Sequence, residues 1–286
     1  TPTAQSLTIT LGPGERLLLI ATSQLWNDYP TIGSSISVSR DGVRISGDMF
    51  AVGASINHRH LATAIAVDSS LGTYTYTLDF KTDPGGKAWA SGTYLLAVKI
   101  SDSWSDGPTG DQSTTSTGFT PTAEQLTISL GAGEKLLLIA TSQLWNDYPT
   151  IGSSICISRS GLGRISGDMF AVGASPNHRA SATAIAVDSP GAGTYTYTLD
   201  FKTDPGGKAW ASGTYLLAVK ISESWSCGPH GDQSTPSTSF TPTAESMDRD
   251  FQAGDKFLLI ATSQLWNNNP AIGSSICICR NSARIS

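Results

Sequence analysis

Hydrophobic and polar residues alternate with a period of two along almost the whole chain. In "SLTITL" Leu7, Ile9 and Leu11 share one face. In "SSISVSR" Ile36 and Val38 point one way, Ser37 and Ser39 the other. "TYTYTLDF" puts Tyr74, Tyr76, Leu78 and Phe80 together, and "HLATAIAVD" sets Leu61, Thr63, Ile65 and Val67 against Ala62, Ala64 and Ala66. A period of two is the mark of a half-buried strand. "RLLLIAT" at 16–22 is apolar on both faces and predicts a central strand. "TYLLAVKI" at 93–100 predicts a closing strand with Tyr94, Leu96, Val98 and Ile100 inward. Turn signals separate the strands: "GPGE" at 12–15, "DG" at 41–42 and "DPGG" at 83–86. No segment has a convincing helical period. About eight short strands in roughly 100 residues predict an all-β antiparallel sandwich or jelly roll.

The pattern then repeats. "TPTA" stands at Thr1, Thr120 and Thr241, and "SQLWNDYPTIGSSI" at 23–36 recurs letter for letter at 142–155. A softened third copy, "SQLWNNNPAIGSSI", occupies 263–276. "TYTYTLDFKTDPGGKAWASGTYLLAVKIS" at 73–101 is unchanged at 194–222. The second copy has one extra residue in "RSGLGRIS" and one in "DSPGAGTY", both at glycine turns, where insertions disturb pairing least. The predicted organisation is therefore a tandem array. Jelly-roll repeats span 1–101 and 120–222, and 102–119 and 223–240 are Ser/Thr/Gly/Pro-rich linkers. The front part of a third repeat spans 241–286. Half a sandwich cannot bury its apolar face alone. The expectation is that a longer chain continues it, or that another chain completes it by strand donation.

The order "ERLLLIATSQL…SISVSRDGVRIS…ATAIAVDSSLGTYTYTLDF…YLLAVKI" resembles the tumour-necrosis-factor-like jelly rolls of bacterial and phage surface or tail proteins. The likeness covers 1–101 and 120–222, and 241–286 in part. It implies a jelly-roll fold, a tendency to oligomerise, and a receptor or glycan as partner. It does not by itself assign a function.

Composition narrows the classes. Charged residues make up only 14%, and Ser, Thr and Gly replace them. The net charge of −5 and the absence of a Lys/Arg run exclude general nucleic-acid binding. No apolar stretch approaches the ~18 residues of a membrane span, so no membrane insertion is expected. Cys156, Cys227, Cys277 and Cys279 have no counterpart in the first repeat, which argues against a disulfide framework. Cys277 and Cys279, two apart, suit neither zinc nor a relaxed disulfide. No metal and no cofactor are expected. No nucleophile elbow, zincin helix or phosphate loop appears, so no enzymatic activity is expected either.

Two clusters stand out as candidate ligand sites. Trp26, Asn27, Asp28 and Tyr29 recur as Trp145, Asn146, Asp147 and Tyr148, and Trp266 with Asn267 survive in the third copy. An aromatic face beside Asn/Asp side chains suits a sugar ring and its hydroxyls, and tandem copies would add avidity. The alternative is a Trp that plugs the end of the sandwich. The second cluster is His58 with Arg59 and His178 with Arg179, for an anionic or sugar ligand or as a polar loop. Repeated Trp89/Trp210 and Trp104/Trp225 are further aromatics, with Trp104 the least easily explained as core. The functional expectation is a non-catalytic, extracellular or surface-located, glycan-binding multivalent protein. Its rival is an adhesive or structural protein whose repeats form trimers or filaments.

Overall fold

The computed structural model describes residues 1–29, 31–51, 59–171 and 179–222. Beyond these it describes 224, 226, 233–248, 250, 257–263, 265, 274, 276–280 and 283–284. The chain divides into two units, 1–222 and 223–286. The first is entirely β among its described residues, and every strand pairing is antiparallel.

Residues 1–100 supply β1 (Pro2–Leu11), β2 (Arg16–Asn27), β3 (Ser34–Arg40), β4 (Val43–Arg44), β5 (Met49–Ala51), β6 (His60–Asp68), β7 (Gly72–Thr82) and β8 (Ala88–Ile100). One sheet runs β1-β7-β3-β4, with β5 also on β3; the other runs β6-β2-β8. Leu11, Leu19, Ile36, Val38, Tyr76 and Leu78 close the sandwich between them. The Asp41-Gly42 hairpin has both residues at positive φ (46° and 80°), the geometry that fits the twist of paired strands.

The same order returns after residue 120: β11 (Thr120–Leu130), β12 (Lys135–Asn146), β13 (Ser153–Arg159), β14 (Gly163–Arg164), β15 (Met169–Ala171), β16 (Ala180–Asp188), β17 (Gly193–Thr203) and β18 (Ala209–Ile221). Here β11-β17-β13-β14 faces β16-β12-β18. The segment expected to be a linker, 102–119, differs from expectation. It carries β9 (Ser103–Thr109) and β10 (Gln112–Thr114), and both pair with the outer edge of β18. Its polar composition read as loop, yet an edge strand needs only backbone groups and one apolar anchor. Trp104 is that anchor, packed against the second core.

A buried ionic knot ties three strands together in each repeat. Arg40 Nη1 donates to both oxygens of Asp68 at 2.9 and 3.0 Å, and the Tyr76 hydroxyl donates to Asp68 at 2.8 Å. Arg159, Asp188 and Tyr197 repeat it at 2.8, 2.9 and 2.8 Å. Asp68 also caps the turn that follows it, accepting from the Ser70 amide at 3.0 Å. Burial pushes its pKa up, but the Ser70 amide, the Tyr76 and Ser70 hydroxyls and Arg40 together outweigh that and hold it below the usual value. A depressed folded-state pKa stabilises the fold above the unfolded pKa, near 4, and this stabilisation is lost as pH falls through the lower folded value. Asp68→Asn should remove that part of the acid limb: stability, measured by urea midpoint, should fall less steeply below about pH 4 than in the parent.

The second unit is described by itself. It holds a short antiparallel pair, β19 (Cys279–Arg280) and β20 (Ala283–Arg284). The sulfurs of Cys277 and Cys279 lie 3.4 Å apart, in hydrogen-bond contact.

Candidate functional site

Trp26 and Asn27 are not loop residues. They are the last two residues of β2 and pair with Trp89 and Ala88 of β8. Asn27 is buried, and its side chain staples the end of the sandwich. Its Nδ2 donates to the Gly33 carbonyl, Ser34 Oγ and Thr82 Oγ1, and its Oδ1 accepts from the Tyr29 and Lys87 amides. Asn146 makes the same bonds to Gly152, Ser153, Thr203, Tyr148 and Lys208. A sugar hydroxyl finds no free partner on either residue.

The tryptophans form a layered stack. Trp26 and Trp89 lie parallel with centroids 6.0 Å apart; Trp145 and Trp210 lie 5.7 Å apart. Arg59 covers Trp26 at 4.3 Å and Arg179 covers Trp145 at 4.1 Å. Lys87 and Lys208 cover Trp89 and Trp210, each at 4.3 Å. The order is thus guanidinium, indole, indole, ammonium, an arrangement favoured by cation–π attraction. Trp26 and Trp145 each therefore have an indole and a guanidinium partner within the protein. Asp28 and Asp147 accept the indole N–H of Trp89 and Trp210 at 2.6 and 2.7 Å. Tyr29 and Tyr148 stand out in solvent, and Asp28 and Asp147 beside them are exposed as well. The pairing of Trp26 with Trp89, and of Arg59 with Trp26, had no signal in the sequence beyond their common repetition. His58, His178, Trp266 and Asn267 lie outside the described residues.

The surface that joins the two repeats is more telling. Leu18, Ile65, Ile139, Leu217 and Val219 form a buried apolar cluster of their own, separate from either sandwich core. These residues come from the outer faces of the β6-β2-β8 and β16-β12-β18 sheets. "RLLLIAT" and its copy are apolar on both sides for this reason: one side lines a core, the other meets the sister repeat. The face of β8 expected inward is also the outer one. Leu95 lies in the core, whereas Ile100 belongs to the inter-repeat cluster and Tyr94 is 62% exposed. Both faces of this strand are apolar, so alternation alone could not choose between them.

β8 and β18 have the same 13-residue sequence, "AWASGTYLLAVKI", in different surroundings. Leu217 and Val219 of β18 are buried in the cluster, but their counterparts Leu96 and Val98 are half-buried and not part of it. β18 is covered on its outer edge by β9 and β10, whereas β8 ends its sheet with no further strand among the described residues. Gln112 clamps the added strand. Its Nε2 donates to Thr214 Oγ1 at 3.1 Å, and its Oε1 accepts from the Ala123 amide at 2.6 Å. Gly107 crosses β18 so closely that a Cβ there would collide with the Thr214 carbonyl oxygen.

No group of three His, Cys, Asp or Glu among the described residues is placed to hold a metal. Cys156 is buried, and burial pushes its thiol up to about 12, far from a nucleophile's range. These features define an all-β protein of antiparallel sheets whose two halves dock through their outer faces. Neither a scan of protein-family models nor a comparison with curated proteins finds a match for the chain.

Proposed function

We propose that this chain is a structural assembly protein: its repeats exist to pack on one another, within a chain and between chains. The observation that carries this reading is the unequal cover of two identical strands. β18 has its outer face and its edge filled, while β8 has no strand on the same edge among the described residues, with Leu96 and Val98 half-buried and Tyr94 exposed. The contact that buries β18 is of the head-to-tail kind, because Leu96 and Val98 of β8 do not make it in return as Leu217 and Val219 do. Such contacts close into rings or extend as filaments rather than stopping at a dimer. A long, nearly uncharged edge strand left open is also one that natural proteins normally protect.

The measurement is sedimentation velocity of the full chain over a wide dilution series, with reductant present. The expected result is a mass that rises above the 29.9 kDa of one chain as concentration increases. A single 29.9 kDa species throughout would overturn the proposal.

A further inference from the structure

Residues 1–286 contain two acceptor strands of identical sequence, β8 and β18, and two donor segments of nearly identical sequence. "SWSDGPTGDQST" at 103–114 and "SWSCGPHGDQST" at 224–235 differ at two of twelve positions, Asp106/Cys227 and Thr109/His230. One pair is made: 103–114 lies on β18 as β9 and β10. Among the described residues, no strand lies on the outer edge of β8. Building on the assembly reading, we propose that the open edge of β8 is a strand-acceptor site filled by residues 224–235 of a second copy of the chain.

Several observations converge on this pairing. The 103–114 donor does not pair with the strand it leaves. β9 begins at Ser103, just after β8 ends at Ile100, yet it pairs with β18, more than 100 residues further on. A donor thus serves a repeat other than the one it leaves. The second donor keeps the parts that the first one uses. Gly228 stands where Gly107 must lack a side chain to pass the acceptor carbonyl, and Trp225 stands where Trp104 anchors the strand.

The clamp also persists in the second unit. Gln233 Oε1 accepts from the Ala244 amide at 2.7 Å, as Gln112 does from Ala123 at 2.6 Å. The Gln233 amide reaches Glu245 at 3.4 Å, as Gln112 reaches Glu124 at 3.3 Å. The Ser237 amide donates to Thr235 Oγ1 at 3.1 Å, as Ser116 does to Thr114 at 3.1 Å. The bonds that tie Gln112 and Thr114 to the chain beyond them are therefore repeated at Gln233 and Thr235.

The β18 template fixes the register. Ser105, paired with Leu217, predicts Ser226 on Leu96; Trp104, paired with Ala218, predicts Trp225 on Ala97; Ser113, paired with Trp210, predicts Ser234 on Trp89. Gln233 would then reach Thr93 as Gln112 reaches Thr214. Main-chain bonds supply the attraction, and the Trp and the glycine crossing supply the selectivity, as in other strand-addition contacts.

The test is made on the full chain in reductant by light scattering, with two perturbations. A synthetic peptide with the sequence of residues 103–114 should cap β8 and return oligomers to single chains, while a scrambled peptide should not. Gly228→Val, which blocks the donor and leaves unit 1–222 untouched, should weaken self-association by on the order of tenfold or more. Circular dichroism of the variant should match the parent. Oligomers that persist through both perturbations would overturn strand donation while leaving the assembly reading standing. Single chains at every concentration would overturn both.

Discussion

Leu217→Ala should destabilise the 1–222 unit by about 3 kcal/mol, whereas Leu96→Ala, the same change at the same place in an identical strand, should cost about 1 kcal/mol or less. The two leucines share their sequence neighbours and their cross-strand partners, Ile139 and Ile20. They differ only in what covers them. Leu217 is fully buried between the two repeats beside Ile139 and Val219, so truncation leaves a cavity lined by apolar side chains. Leu96 is half-buried, and water can enter the space that its side chain vacates. Chemical denaturation of the two variants gives the comparison directly. Equal costs would mean that the inter-repeat cluster does not hold the unit together. At concentrations where the parent self-associates, the cost at Leu96 should grow, because its face is then covered.

Asn146→Ala should be among the most damaging single changes in the chain, about 3 kcal/mol or more, while Tyr148→Ala two residues away should fall within about 0.5 kcal/mol of the parent. The Asn146 side chain makes five hydrogen bonds, and two of its donors are backbone amides, at Tyr148 and Lys208. Removing it takes the acceptor away from the Tyr148 and Lys208 amides at the end of the sandwich. Tyr148 is exposed and anchors nothing. Thermal unfolding reads both. If Asn146→Ala melted with the parent, the staple would be decoration, and a ligand role for the cluster would regain ground.

The sequence carried the sandwich because alternation and turn chemistry are local. Leu7, Ile9 and Leu11, the Asp41-Gly42 turn and the Tyr76/Leu78 face all sit where period two put them. It carried the position of β2 for the same reason. It was silent where both faces of a strand are apolar. In "TYLLAVKI" the larger set, Leu96, Val98 and Ile100, reads as core, but in the second repeat that set meets a sister domain. Nothing local marks a second interface of the same chemistry as the core. The 102–119 stretch was misread because composition describes side chains, whereas β9 and β10 are held mainly by backbone bonds. A signal was nonetheless present: "SWSxGPxGDQST" is kept almost unchanged in two places, which a mere spacer has no reason to do. The Trp-Asn pair looked like a sugar site because the residue types suit one. What residue types do not reveal is that Trp26 already has Trp89 and Arg59 as partners, and that five groups bond to Asn27.

Central to assembly of the chain is β8 as an acceptor that another copy fills. Electron microscopy of the concentrated full chain tests this most directly. The prediction is strings or closed rings of units joined head to tail, which disperse to single particles when the 103–114 peptide is added. Single, separate particles at every concentration, with or without the peptide, would contradict it.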